Sequence, residues 1–270
     1  MTHWIFSTQA ADRLCNLRTG RVNLYDAAKE YADQVTVMHW DGKHIDTRGL
    51  EDVSPHELIV YGGHPFLEAL RAAMPSWSPG IFHHPDLLSS QELIAALGPL
   101  SLNQGSQFMR LEDVSARIAA GARLFLRPDR ADKSFAGGIF TSNDLEKLPP
   151  LPDLPVTVSE PKMILAEYRF VVVETKIITG SQYARGGRLD IRQDVDTQCQ
   201  ELAAEAARIY APTPAFICDV AETPDGPRVV EYNSFSAAGL YACDAQAIVK
   251  AMEKLVSTRK APQPVLMPAG

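Results

Sequence analysis

The chain has only four cysteines, Cys15, Cys199, Cys218 and Cys243, and no two stand at CxxC spacing. That excludes the familiar thiolate zinc motifs and a disulfide framework, and leaves reduced core thiols as the expectation. No apolar run approaches the roughly 20 residues that a membrane helix needs. Residues 1–7 carry no basic segment ahead of a long apolar one, so no signal peptide is expected and the cytoplasm is the default compartment. A basic excess is missing as well: 26 Lys and Arg stand against 33 Asp and Glu, a formal charge of −7. This argues against nucleic acid as a partner. Low-complexity tracts are absent, and 46% apolar residues over 270 positions suffice for a sizeable core.

Several catalytic signatures are also missing. Neither GxxxxGK[ST] nor a GxGxxG after the first strand occurs, which sets aside the Walker and dinucleotide loops. Ser181 lies in Thr-Gly-Ser-Gln-Tyr rather than GxSxG, so there is no nucleophile elbow. His83 and His84 precede Pro85 without an HExxH or a clustered carboxylate, and read as a surface loop. Trp4, Trp40 and Trp77 are expected to pack.

What is present has a clear order. Apolar runs at 4–7, 35–39 and 58–61 alternate with amphipathic stretches at 24–32 and after Gly62-Gly63. Such alternation predicts a small parallel sheet covered by helices. A further helix fits 90–97, with Ser89 or Ser90 as its cap and Gly98-Pro99 as its stop. The second half reads differently. A strand at 122–127 runs into a polar, glycine-containing loop at 128–138, and the proline-rich segment 149–155 is an extended connection. Long strands follow at 164–173 and 176–183. A helix from Asp196 or Thr197 to Tyr210 precedes a hairpin with strands at 215–221 and 228–234, and a last helix covers about 244–255. The proline-rich tail is expected to fray.

Three constellations can carry chemistry. In the final hairpin a carboxylate, Asp219, interrupts an apolar strand, and Glu231 and Asn233 stand two residues apart on its partner. Strand alternation puts i and i+2 on one face. Two carboxylates and an amide oxygen are hard donors that suit Mg²⁺; an ordinary polar face of a half-exposed hairpin is the alternative. In the second constellation Glu167 and Arg169 share one face of a strand. Arg169 offers a multi-donor fork for phosphate or carboxylate, or else half of a cross-strand salt bridge. Ser181, Tyr183 and Arg185 follow in alternation on the next strand as donors for a substrate acid group; Gly186-Gly187 next to Arg185 make a mobile loop the alternative place for it. The third is the loop itself, with Arg127 at the strand end, Lys133 within it, and flexible backbone at Gly137 and Gly138. It is suited to closing on phosphates, or is simply an exposed basic loop.

Taken in order, a strand-end cation with a glycine loop, an acidic-x-Arg strand, and an Asp followed by Glu-x-Asn resemble the ATP-grasp superfamily over about residues 122–256. Leu126-Arg-Pro, Asp132-Lys-Ser-Phe-Ala-Gly137, Ala166-Glu-Tyr-Arg-Phe170, Gly180-Ser-Gln-Tyr183 and Val230-Glu-Tyr-Asn-Ser234 look like the variant clade with arginine in place of the first nucleotide-binding lysine. The resemblance implies an α/β N-terminal domain at 1–105, then an α+β ATP-grasp fold at 106–258. Mixed and antiparallel sheets with helices would hold ATP between two subdomains, ahead of a flexible tail at 259–270. It implies that Arg127 and Lys133 meet the phosphates under Gly137 and Gly138. Glu160 would lie at the adenine hinge, Glu167 on the ribose, and Arg169 with Lys133 at the transferred group. Asp219, Glu231 and Asn233 would ligate Mg²⁺. The implied activity is an ADP-forming ligase that makes a carboxylate into an acyl phosphate for attack by an amine, from small-molecule or peptide substrates. A kinase on the same fold and a non-catalytic nucleotide binder are the alternatives, and a homo-oligomer stays open.

Overall fold

The computed structural model describes residues 1–12, 22–48, 50, 53–117, 122–131, 134–148, 151 and 153–259. The first elements are β1 (His3–Ser7), α1 (Thr8–Ala11), α2 (Leu24–Tyr31), β2 (Gln34–Met38), β3 (Leu58–Tyr61) and α3 (His64–Ala73). Next come α4 (Ser90–Leu97), β4 (Gln107–Arg110), α5 (Leu111–Arg117), β5 (Leu124–Pro128), β6 (Gly138–Phe140), α6 (Ser142–Leu145) and β7 (Pro155–Ser159). The last are β8 (Ala166–Val173), β9 (Lys176–Arg185), β10 (Arg188–Arg192), α7 (Thr197–Ile209), β11 (Ala215–Thr223), β12 (Gly226–Ser234) and α8 (Ala245–Arg259).

Two compact units divide the chain: residues 1–82 with the C-terminal segment from 244, and residues 83–243. The first unit holds the parallel sheet β2-β1-β3. Its central strand is buried at every position, as a parallel strand covered on both faces must be. Trp4 stacks on Phe6 with centroids 5.6 Å apart. Helix α8 buries Ile248, Val249, Met252, Leu255 and Val256 and belongs to this unit, with Lys250 set 5.3 Å over the Tyr31 ring. These units are cut differently from the boundaries at 105 and 258 that the sequence suggests. Local periodicity finds a helix but says nothing about which distant sheet its apolar stripe joins. His83 is fully buried, which corrects the surface-loop reading of His83-His84. Among the described residues no helix is long and apolar enough to cross a membrane.

The second unit contains two antiparallel sheets, β10-β9-β8-β11-β12 and β4-β7-β5-β6. Strands β4, β6, β7 and β10 escape the sequence reading because they are short or begin at a proline. One face of the five-stranded sheet is an apolar layer in which Tyr168, Phe170, Val172, Phe216, Cys218 and Val220 pack with Leu202, Ala203 and Ala206 of α7. Asp196 caps that helix by accepting the Cys199 N–H at 2.9 Å, a substitution-sensitive end satisfied by a side chain. Cys199, Cys218 and Cys243 are buried without a disulfide; Cys15 lies outside the described residues. In the smaller sheet Leu126, Val156 and Val158 face a core with Leu111, Val114 and Phe135. Alternation therefore turns Phe125, Arg127 and Thr157 to the other side.

Candidate functional site

Strand register assembles the charged residues. Ser181 on β9 pairs with Arg169 on β8, Arg169 with Asp219 on β11, and Asp219 with Glu231 on β12. The four side chains form one row across the five-stranded sheet, on the face opposite the apolar layer. Arg169 donates from Nε to Asp219 Oδ1 at 2.8 Å and from Nη2 to Oδ2 at 2.6 Å. Its Nη1 donates to the Gly239 carbonyl at 2.8 Å. Side-chain exposure is 11% for Arg169 and 1% for Asp219, so this bidentate pair is well screened from solvent. Burial works against the Arg169 cation, but the Asp219 charge and hydrogen bonds outweigh it and raise its pKa.

Asp219, Glu231 and Asn233 come together as the alternation predicts. Asn233 Nδ2 donates to Asp219 Oδ2 at 3.2 Å and to Glu231 Oε1 at 2.8 Å. Glu231 also pairs with Arg127 Nη2 at 2.6 Å, where the arginine side chain is 8% exposed. Among the described residues no group of three or more His, Cys, Asp and Glu could hold a metal ion. The donor set is thus two carboxylates and an amide, and a cation would take the amide oxygen after the amide turns over. Asp219 Oδ2 and Glu231 Oε1 meet at this amide and are of the hard type that Mg²⁺ prefers, so the donor chemistry fits such an ion.

Two bulges aim further side chains. On β9 the register passes from Ala184 opposite Glu167 to Gln182 opposite Tyr168, leaving Tyr183 as the extra residue. On β12 it passes from Glu231 opposite Asp219 to Val229 opposite Val220, leaving Val230. Both extra residues line the same cleft, the kind of re-aiming for which bulges are suited. Tyr183 donates to Glu167 Oε2 at 2.7 Å. Burial raises the Glu167 pKa although this hydrogen bond opposes it. Burial, then the Asp219 and Glu167 charges, hold the Tyr183 hydroxyl well above its usual range.

The same bulge separates the three residues that simple alternation groups together. Ser181 is fully buried; its hydroxyl donates to the Arg192 carbonyl at 2.9 Å and accepts the Ala242 N–H at 3.1 Å. Arg185 turns to the opposite face. There it donates to Gln182 Oε1 at 2.9 Å and approaches the Tyr168 hydroxyl at 3.5 Å and Glu222 at 4.0 Å. Of the three, Tyr183 lines the cleft.

That cleft has a volume of about 470 Å³ and lies wholly within the second unit, well inside the range of small-molecule sites. Arg127, Gly137, Gly138, Glu160, Glu167 and Glu231 all border it, together with Arg130 and Lys162. Its apolar walls include Phe125, Phe135, Ile139 and Ile164, suited to the flat face of a base. A Cβ at Gly137 would stand 2.9 Å from Arg127 Cβ, so glycine is what lets this backbone lie against the cation. Glu160 is exposed at the rim, just beyond β7. Lys133 lies outside the described residues. Charge, glycine cradle and apolar walls together fit a nucleotide.

Sequence reasoning missed Phe125, Val230 and Asn103, and reached Tyr241 only as the end of a segment, 234–241, expected to bear on specificity. Phe125 was within reach, because it precedes Arg127 by two and shares its face. Val230 depends on a bulge. Asn103, which accepts from Ser159 Oγ at 3.4 Å, and Tyr241, which stacks on Tyr183 with centroids 4.9 Å apart, sit on irregular segments with no periodicity to read.

The fold is that of ATP-grasp proteins. D-cycloserine synthetase DcsG is similar over 94% of this chain and 99% of its own, with TM-score 0.58 and 14% identity. D-alanine–D-alanine ligase from Bacillus anthracis is similar over 96% and 99%, with TM-score 0.58 and 11% identity. The ATP-grasp ligase PsnB, complexed with a minimal precursor, is similar over 94% and 99%, with TM-score 0.57 and 15% identity. No curated protein matches the sequence. A family model of the ATP-grasp domain, the third family of its clade, matches residues 69–252. The chain belongs to that ATP-grasp family.

Proposed function

We propose that the protein is an ATP- and Mg²⁺-dependent ligase that joins a carboxylate to an amine and releases ADP. The observation that carries this reading is the convergence of Asp219, Glu231 and Asn233, backed by Arg169 and Arg127, beside a cleft with a glycine-lined wall. Membership of an ATP-grasp family supports it, as do the ligases and the synthetase among the similar structures.

In this reading Asp219, Glu231 and Asn233 hold Mg²⁺. Arg127, with Lys133, meets the phosphates, Gly137 and Gly138 let the backbone approach them, Glu160 takes the adenine edge, and Glu167 takes the ribose. ATP supplies the phosphoryl group that makes a carboxylate into an acyl phosphate. Arg169 serves the reacting group. Its guanidinium has five N–H donors; Asp219 and Gly239 engage three, and one on each Nη stays for an anion. The arginines offset charge before substrate arrives, so catalysis rests on positioning and electrostatics and needs no protein nucleophile. Tyr183 is the proposed substrate-facing hydroxyl of the three donors on β9. Small-molecule or peptide acids and amines are the substrate class.

The test is thermal unfolding with ATP, with and without Mg²⁺. A ligand at a hundredfold excess over its Kd stabilises by about 2.7 kcal/mol. Glu231→Gln keeps the size of the side chain and removes its charge, and is expected to abolish the Mg²⁺-dependent part. An undiminished Mg²⁺ effect in that variant sinks the metal assignment. ADP release that requires an added amine distinguishes ligase from kinase; no release with any acid favours a binding protein.

A further inference from the structure

The Arg169 side chain is enclosed by a collar from the segment after β12. Gly239 supplies a carbonyl to Nη1 at 2.8 Å, and Ala242 N–H is fastened to Ser181 Oγ at 3.1 Å. Between these two anchors stands Tyr241. Its φ is +50°, a left-handed conformation that is unfavourable for a bulky residue and persists only where its surroundings impose it. The ring then lies nearly parallel to Tyr183, at 10° and 4.9 Å. The Arg169 guanidinium carbon sits 5.0 Å from the Tyr241 centroid and 5.4 Å from that of Tyr183. Tyr183 is in turn held by its hydrogen bond to Glu167 at 2.7 Å.

We propose that Tyr241 is a positioning residue. With Tyr183 it fixes the plane of the Arg169 guanidinium, so that the N–H bonds left over from Asp219 and Gly239 are presented to the anionic reacting group. This rests on the proposed role of Arg169 for its chemical purpose, but the geometry stands apart from that role. The Asp219 fork and the Gly239 carbonyl hold the guanidinium by its edges, through three of its N–H bonds. The stacked rings stand within cation–π distance and limit tilt out of the plane those bonds define, an attraction strengthened where the cation is desolvated. The turn 240–243, closed by the Cys243 N–H on the Leu240 carbonyl at 3.0 Å, takes Tyr241 through this left-handed conformation and sets its ring beside Arg169.

The test reads Arg169 directly, by the ¹⁵N–¹H resonance of its Nε–H in the full-length protein, assigned by its loss in Arg169→Lys. Tyr241→Gly removes the ring without backbone strain, since glycine adopts positive φ freely. It is expected to take away part of the ring-current shift and to speed exchange of this N–H with water roughly tenfold, the scale of a buried cation–π contact. Tyr241→Phe keeps the ring face and is expected to retain both signatures. A lowered melting temperature in Tyr241→Gly with an unmoved Arg169 resonance overturns the proposal, as does equal loss in Tyr241→Phe. Thermal shift of the wild-type protein by Mg²⁺ and ATP is the parallel arm. If Arg169 responds as expected but no nucleotide shift occurs, the positioning stands and the nucleotide reading falls.

Discussion

The two faces of the five-stranded sheet are built from the same strands and could hardly differ more. One face is an apolar layer under α7, with Tyr168, Phe170 and Val172 from β8 beside Phe216, Cys218 and Val220 from β11. The other carries Ser181, Arg169, Asp219 and Glu231 in a single transverse row. The apolar face is stabilised by non-directional packing and holds the backbone still. The charged face then needs only hydrogen bonds in fixed places. A buried ion pair contributes little net stability but is expensive to break, so the rigidity that places Arg169 and Asp219 comes from the opposite side of their own strands.

Breaking the charged face is expected to have the largest effect. Asp219→Ala leaves Arg169 charged and without its fork, at a cost of about 3–5 kcal/mol in urea unfolding. Replacing both, with Arg169→Met and Asp219→Leu, is expected to recover most of that loss and to eliminate the Mg²⁺ response. If the double variant is no more stable than the single, the pair does not behave as a buried ion pair.

A milder disturbance on the apolar side comes from Gly180→Ala. The added Cβ would stand 2.6 Å from the Phe170 ring, and overpacking of this kind costs about 1–3 kcal/mol. Nucleotide-dependent stabilisation is expected to survive, because the clash lies away from the charged row. Its disappearance would show the two faces to be less separable than the register implies.

The pH dependence sharpens the comparison further. Burial raises the Glu167 pKa, so the folded state favours the protonated acid. Its contribution to stability is fully present below the ordinary carboxyl value of 4.5 and is lost as pH rises through the raised folded value. Glu167→Gln is therefore expected to gain on the wild type in melting temperature as pH climbs above that point. A constant difference across the range would deny the shift. The smallest effect belongs to Arg185→Ala. With its side chain half exposed and Glu222 4.0 Å away, the loss is expected to be about 0–1 kcal/mol, with an unchanged nucleotide response. A lost response would return Arg185 to the cleft.

Much of the site was legible because strand alternation is a local rule. Asp219, Glu231 and Asn233 could be put together from their spacing on a hairpin, and Glu167 and Arg169 from theirs on one strand. The same rule misled at Arg185, since a bulge at Tyr183 shifts every later side chain by one face. Nothing around Tyr183 announces that shift. It is decided by how β9 pairs with β8, over many residues at once.

The sequence by itself determined the alternation of the strands, the starts of two helices to within one residue of the caps Ser89 and Asp196, and the chemical types gathered at the site, because each depends on neighbours a few positions away. Only the tertiary structure decided the rest. The arginines pair with the carboxylates, the bulges turn Tyr183 and Val230 into the cleft, α8 returns to the first unit, and a strained tyrosine closes on Arg169. All of these are contacts between segments far apart in the chain, settled by which packing buries the most apolar surface while leaving each buried charge a partner.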